Sequence, residues 1–502
     1  MKLIKQFLLT KHNIIPVFGG NWNKFQIDDY TLYCDTDLEV CQAENESRKV
    51  FILGNLFDYE KYNSSNSDIL ESVLKQNCSF EDFLFSFDKY SGNFLVFTFE
   101  KAGKEIKILT DNAGLRELYY QHSHKTNTAV AASQPVAIAK LLGQEENKEE
   151  DAIAFYSSPH FKKRRVFVGD TTNYANIYRL KANYYLNFLS GQVIRYFPKK
   201  VLTKGDFETQ AAKAAIMIRG YLHAANHRKK LAIPVSAGWE SRILLAASKE
   251  IAPESLYFVF KHSHFSDNHQ DIKTPKRLFE KLGLEFNILE YSKHIDAGKK
   301  AEIEAIYSFP RLSNFAYIIN VYGKMMNDRF ILNGNVSEIA RTQFDDIKVA
   351  DSSRIAFLEG YPFYKYALDQ YKKWLENSQE TFKKYKYRNA DMLYWEENST
   401  NWTSKTCSEV RFVSELYQPF NSRELLLTMM SVDIKYRWKQ NPILYKRIIE
   451  ILWPECLLVP VNPDPKKQLI GLFQKLGLYS FYREIHLKIS MNKAKAIMRL
   501  KR

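Results

Sequence analysis

Leu231-Ala232-Ile233-Pro234-Val235-Ser236-Ala237-Gly238-Trp239-Glu240-Ser241-Arg242-Ile243-Leu244-Leu245-Ala246 is the stretch on which the reading of this chain turns. A short apolar run, a loop of small residues and a helix-forming stretch follow one another without a spacer. Residues 231–235 have the length and character of a buried strand, and a helix is expected from about Arg242 to Lys249. In parallel α/β sheets ligands bind beyond the carboxyl ends of the strands, which is where residues 236–241 fall. Small residues let backbone N–H groups close around phosphate oxygens, and a helix start adds partial positive charge. Ser236 and Ser241 offer hydroxyls, and Glu240 offers a carboxylate able to hold Mg²⁺ against phosphates. The same residues also read as an ordinary turn in which Ser241 caps the helix.

Outward from this stretch the pattern is consistent. An Ala-rich helical segment covers residues 207–227. Apolar runs at 255–260 and 285–289 flank a helical stretch at 274–282. Strands alternating with helices predict a doubly wound parallel sheet. The first 200 residues read differently. Runs at 50–54, 94–99, 105–110, 118–120 and 128–132 are strand-like, and 184–189 and 193–197 flank a Ser190-Gly191 turn as a hairpin. Beyond residue 350 the chain reads as mainly helical. The fold class is therefore α/β and α+β, with a boundary near residue 200.

The 502 residues, 45% apolar and 14% aromatic, can build a large core. At roughly 100–200 residues per domain, two to four units are expected. Cys34, Cys41, Cys78, Cys407 and Cys456 are scattered, with no CxxC spacing, which speaks against a zinc site and for reduced thiols in a cytoplasmic protein. The first residues do not form a signal peptide, and no apolar stretch is long enough to span a bilayer. The net charge is +15. The tail gathers Arg483, Lys488, Lys493, Lys495, Arg499, Lys501 and Arg502 against the single acid Glu484. This tail reads as a solvated basic segment or as a peripheral contact with an anionic membrane or carrier, since Ile485, Ile489 and Ala496 recur near helical spacing. No nucleic-acid module is recognisable, so no nucleic acid is expected as a partner. The oligomeric state stays open.

Ser236 to Ser241 resembles the SGGxDS pyrophosphate loop of the asparagine synthetase-like enzymes. Ile331-Leu332-Asn333-Gly334-Asn335-Val336-Ser337-Glu338-Ile339 resembles that family's second metal segment, a strand followed by SGEGxDE. Gly92-Asn93-Phe94, residues 110–120 and Ala132-Ser133-Gln134 are similar to the GxFAF, RDRxGxxPLYY and ASE strands of its glutamine amidotransferase domain. The hairpin around Gly191 resembles the segment that ends that domain, and Gln418-Pro419-Phe420-Asn421-Ser422-Arg423 resembles the PFLD-R stretch. The matches run in order over roughly residues 50–460.

The resemblance implies three parts. Residues 1–203 form a degenerate, Ntn-type β-sandwich glutaminase-like domain. Residues 204–470 form a synthetase domain of the PP-loop, adenine nucleotide α-hydrolase-like kind, and 471–502 form a basic helical tail. It also implies ATP and Mg²⁺ as cofactors. Ser236, Ala237, Gly238, Trp239, Glu240, Ser241 and Gly334 would bind the nucleotide, and Glu240 and Glu338 the metal. Lys446, in Tyr445-Lys446-Arg447, would stabilise the acyl-transfer oxyanion, with Arg447 as a substitute.

Two departures matter. The family's glutaminase uses a cysteine at position 2, where this chain has Lys2, so no glutamine hydrolysis is expected. Both metal positions carry Glu in place of Asp, which moves each carboxylate by roughly 1–1.5 Å against the tight octahedron that Mg²⁺ prefers. The implied activity is an ATP-dependent, AMP-forming amide ligase. A carboxylate, free or carrier-linked, is adenylated and passed to an amine donor, in surface-polysaccharide or specialised-metabolite synthesis. The alternatives are β-lactam synthetase or lasso-peptide-type ring closure, and an inactive nucleotide-binding scaffold. Further candidates are His262, His264 and Asp267, as metal ligands or a polar substrate loop. Tyr394-Trp395-Glu396-Glu397 with Trp402 reads as a sugar platform or as core. Arg341 reads as a partner of a phosphate or a substrate carboxylate, or as a structural ion pair.

Overall fold

In the computed structural model, the described residues are 5–76, 78–123, 128–262, 264–290, 293–344, 347–462, 470, 473 and 476–500, with side chains as far as Ala496. Three sheets organise them. The first contains β1 (Phe7–Thr10), β2 (Trp22–Ile27), β3 (Tyr30–Asp35), β8 (Tyr119–Ser123), β9 (Thr128–Ala132) and β10 (Tyr178–Arg179), in the order β10-β8-β9-β1-β3-β2. The second contains β4 (Val40–Glu44), β5 (Arg48–Phe57), β6 (Ser91–Glu100), β7 (Glu105–Thr110), β11 (Tyr184–Asn187) and β12 (Gln192–Arg195), in the order β12-β11-β7-β6-β5-β4. All pairings in both are antiparallel.

The period-two rule explains how these sheets stack. Along β5, Phe51 and Leu53 join Phe7, Leu9 and Leu32 of the first sheet in one buried cluster, whereas Val50 and Ile52 face the opposite way into a larger core. Helices cover the two outer faces. Pro135–Leu142 packs on β8 and β9, and Asn66–Leu74 on β4 and β5. The result is a helix–sheet–sheet–helix stack. The strands expected between residues 50 and 197 are present, with the hairpin pairing Tyr184 with Arg195 through Asn187 with Gln192. Strands β1 to β4 were not anticipated. They are only four to six residues long, so a period-two alternation has little length in which to show.

The third sheet is parallel: β13 (Leu231–Pro234), β14 (Leu256–Lys261), β15 (Asn287–Glu290), β16 (Phe330–Leu332) and β17 (Glu415–Tyr417), ordered β15-β14-β13-β16-β17. The chain steps one way from β13 to β15 and the other way from β16 to β17. The strand order therefore reverses between β13 and β16, and a crevice opens at their carboxyl ends. The Phe207–Arg228 helix precedes β13, and Trp239–Ala247 follows it.

Residues 390–423 join the parallel sheet to the β-sandwich through buried polar contacts. Trp395 Nε1 donates to the Asn112 carbonyl at 2.7 Å, and Asn421 Nδ2 to Asp111 Oδ1 at 2.8 Å. Asn93 Nδ2 donates to the Leu416 carbonyl at 2.7 Å. Glu396 and Glu397 pair with Arg195 at 2.5 Å and Lys181 at 2.8 Å. Trp395 is fully enclosed, so the Tyr394–Glu397 patch is core and interface, not a sugar platform.

One buried acid has a measurable consequence. Glu359 Oε2 accepts from Asn398 Nδ2 at 3.1 Å, while its Oε1 has no hydrogen-bond partner. Burial pushes its carboxyl up to about 7, against the pull of Arg164. Its folded value thus lies above its unfolded one. The folded state keeps a proton that the unfolded state releases, so stability falls as pH rises from the ordinary glutamate range to about 7, and the penalty is constant above that. Glu359→Gln is expected to be more stable than the parent at pH 8, by at most roughly 3 kcal/mol. Thermal melts should show the gain vanishing near pH 4.

Candidate functional site

The loop after β13 closes on its own hydroxyls. The Ser236 N–H donates to Ser241 Oγ at 3.1 Å, the Gly238 N–H donates to Ser236 Oγ at 3.2 Å, and the two hydroxyls lie 3.3 Å apart. The helix begins at Trp239, with Gly238 as its N-cap and no side-chain cap. The expectation that Ser241 caps this helix is thereby corrected. Ser241 lies within the first turn, and its hydroxyl ties the loop together. The first-turn N–H groups have no side-chain cap competing for them, so they are open to an acceptor at the cleft. Arg242, fully buried, anchors the turn by donating to the carbonyls of Cys456 at 2.5 Å and Val459 at 2.9 Å.

The loop after β16 meets it. A Cβ on Gly334 would sit 2.6 Å from Glu240 Cβ, so only glycine lets the two loops approach this closely. The Asn335 N–H donates to Asn333 Oδ1 at 2.7 Å, and Ser337 Oγ donates to the Gly334 carbonyl at 2.8 Å. Between them Val336 is held at φ 82°, ψ −34°, a conformation that costs a β-branched residue about 1–3 kcal/mol. Its side chain is buried, and Tyr445 Oη donates to the Ser337 carbonyl at 2.7 Å, so the surrounding packing enforces the turn.

These loops and the end of β14 line a cleft of about 340 Å³, with Ser236, Glu240, Ser241, Asn333, Glu338 and Arg341 among its walls. That size lies within the range of small-molecule sites. Burial, and then the Glu240 carboxylate, push Glu338 up to about 7, against the opposing pull of Arg341. Arg341 Nη2 lies 2.5 Å from Glu240 Oε1. That contact is a charge pairing off the hydrogen-bond direction, since Oε1 has no aligned donor. Glu338 Oε2 is likewise buried with no hydrogen-bond partner. The Glu240 and Glu338 carboxylates share this cleft, and the pair fits a hard, oxygen-ligated cation such as Mg²⁺, which would compete with Arg341 for Glu240. Glu240 and Glu338 would hold it. Among the described residues no group of three or more His, Cys, Asp or Glu gathers, so water and phosphate oxygens would complete the shell.

The structure brings together Ser236, Glu240, Ser241, Gly334 and Glu338, with Ala237, Gly238 and Trp239 in the same loop and helix start. It does not bring Lys446 to them. Lys446 is exposed on the Ile443–Leu452 helix, 3.5 Å from Glu450, because the inward positions of that helix belong to Leu444, Tyr445 and Ile448. Arg447 is also outside the cleft, paired with Glu208 at 2.7 Å. Among the described residues that line the cleft, the cation is Arg341. Asp267 pairs with Lys261 at 2.7 Å, and His262 stacks near His264. The position 2 departure lies outside the described residues. Cys34 is buried, and burial pushes its thiol well above the ordinary range.

One residue escaped the sequence reading: Asp271, whose Oδ1 accepts the Ala237 N–H at 3.0 Å. It sits in the first turn of the Gln270–Leu282 helix, the next element after β14, on the same carboxyl edge. That position in the alternation was a usable signal.

No family model and no curated protein matches this sequence. Solved structures that align with it include the U34-tRNA thiolase NcsA from Methanococcus maripaludis with its [4Fe-4S] cluster, at 10% identity and a TM-score of 0.24 over 57% of this chain and 80% of that one. The NH3-dependent NAD synthetase from Campylobacter jejuni aligns at 17% identity and 0.19, over 38% and 81%. The glutamine-dependent NAD+ synthetase from Acinetobacter baumannii aligns at 11% and 0.21, over 40% and 44%. Likenesses this low say nothing of how this cleft works, and its reading rests on its own geometry.

Proposed function

We propose that this chain is an ATP-dependent, AMP-forming ligase that adenylates a carboxylate at the β13–β16 crevice and passes the acyl group to an amine. The observation that carries this reading is the helix start at Trp239, free of a side-chain cap, which carries Glu240 in its first turn and shares a cleft with Glu338 at the switch point of a parallel sheet. Its first-turn N–H groups and the Ser236 and Ser241 hydroxyls suit the oxygens of a leaving pyrophosphate. A bound Mg²⁺ would supply charge neutralisation on the phosphates. Glu240 and Glu338 would position that charge, Gly334 would keep the second loop against the first, and Arg341 would add a cation beside them. The carboxylate attacks the α-phosphorus, the bond to the bridging oxygen of pyrophosphate breaks, and the amine then displaces AMP from the acyl carbon.

A second reading, a nucleotide-binding scaffold without turnover, is favoured by the Arg341–Glu240 pairing, which neutralises one carboxylate. Pyrophosphate release from ATP, measured against a panel of sugar acids and amino acids with ammonium as amine, separates the two. The ligase reading expects carboxylate-dependent release. ATP binding without release for any acid establishes the scaffold, and absence of ATP binding removes both.

A further inference from the structure

The Tyr479–Leu500 helix lies on the protein by one face and presents a second face to solvent along the residues to Ala496. Its inward positions include Tyr479 and Leu487, both buried, and Glu484. Glu484 accepts the Lys348 N–H at 2.8 Å and pairs with Arg354 at 2.9 Å. The only acid of the tail is therefore spent against the body.

The outward positions are Phe481, Tyr482, Ile485 and Ile489, with Leu478 just before the helix, and all are exposed. At 100° per residue they fall within one stripe. Lys488 and Lys495 flank it on one side, and Lys493 on the other. Lys488 and Lys493 are exposed, and the Lys495 ammonium lies over the Phe363 ring. Surface helices of globular proteins bury their apolar stripe, whereas this one buries the opposite face and leaves the stripe outside.

We propose that this face is a membrane-surface helix that seats the protein on an anionic bilayer. An apolar stripe bordered by lysines is the arrangement in which apolar side chains enter the acyl boundary while ammonium groups reach lipid phosphates. A second copy of the same face is the poorer occupant, because it would set lysine against lysine with no acid on either side. No helix among the described residues is long and apolar enough to cross a membrane, so the contact is with the surface. The inference is independent of the ligase reading.

The test is flotation of the full chain with phosphatidylcholine vesicles, with and without phosphatidylglycerol. Binding is expected only with the anionic lipid, weakened by salt. It should fall roughly tenfold or more in Phe481→Ser/Ile485→Ser and in Lys488→Glu/Lys493→Glu. These positions are exposed, so the thermal melt and pyrophosphate release should not change. Failure of the parent to float with anionic vesicles would overturn the proposal. So would vesicle binding that survives both double variants, or a concentration-dependent dimer abolished by Phe481→Ser/Ile485→Ser.

Discussion

Glu338→Gln is expected to slow pyrophosphate release from ATP by roughly 100- to 1,000-fold, the size of effect seen when one preorganised electrostatic group is removed from an active site. The substitution keeps shape and volume, so the strained turn at Val336 and the Gly334–Glu240 contact have no reason to move. Stability should hold or rise, because a buried carboxyl beside a second carboxylate is replaced by a neutral amide. Loss of turnover with an undiminished melting temperature is the signature of a catalytic carboxylate. An unchanged release rate would remove Glu338 from the mechanism and, with it, the two-carboxylate reading of the cleft. Shortening both side chains together, Glu240→Asp with Glu338→Asp, asks whether the glutamate length is adapted to this site. Activity should fall if the spacing is tuned to glutamate.

Arg423→Met is expected to destabilise the protein by about 3 kcal/mol, the low end of the usual cost of breaking a buried ion pair, because the stranded Asp88 is only partly buried. Arg423 is fully buried, ion-paired with Asp88, and donates to Tyr196 Oη at 2.8 Å and Asn183 Oδ1 at 3.2 Å. It stands between the β-sandwich and the helical region after β17, so its loss removes a contact that joins the two. Urea unfolding should show a lowered midpoint, and Asp88→Asn in the same background should recover part of the loss by removing the stranded charge. A lysine at 423 should be an incomplete replacement, since it cannot reproduce the planar fork. A shift below about 1 kcal/mol for Arg423→Met would mean that the pair is solvated and that the interface is held by other contacts.

The candidate site was legible in the sequence as far as its two loops. Residues 231–247 announce strand, loop and helix because each step uses a different local signal: apolar run, small residues, helix formers. Asn333 to Glu338 follows another short apolar strand in the same way. What local signals cannot supply is direction. Lys446 and Tyr445 are neighbours on one amphipathic helix, and the rotation of about 100° between successive residues decides that Tyr445 reaches the Ser337 carbonyl while Lys446 points to solvent. The cation at the cleft, Arg341, is one helical turn beyond Glu338, and its partner Glu240 is distant in sequence and adjacent only across the sheet.

By itself the sequence determined that this chain has a β-rich first part and an alternating strand–helix second part, and which two loops stand at the strand ends. Those are properties of periodicity and turn chemistry, which are local. Tertiary structure alone decided the reversal of strand order between β13 and β16. It also decided the close approach of the two loops that requires Gly334, the burial that raises Glu338, and the face of the tail helix left to solvent. Each of these depends on groups far apart in the chain sharing one volume, and the energies of desolvation and charge pairing exist only once that volume is closed.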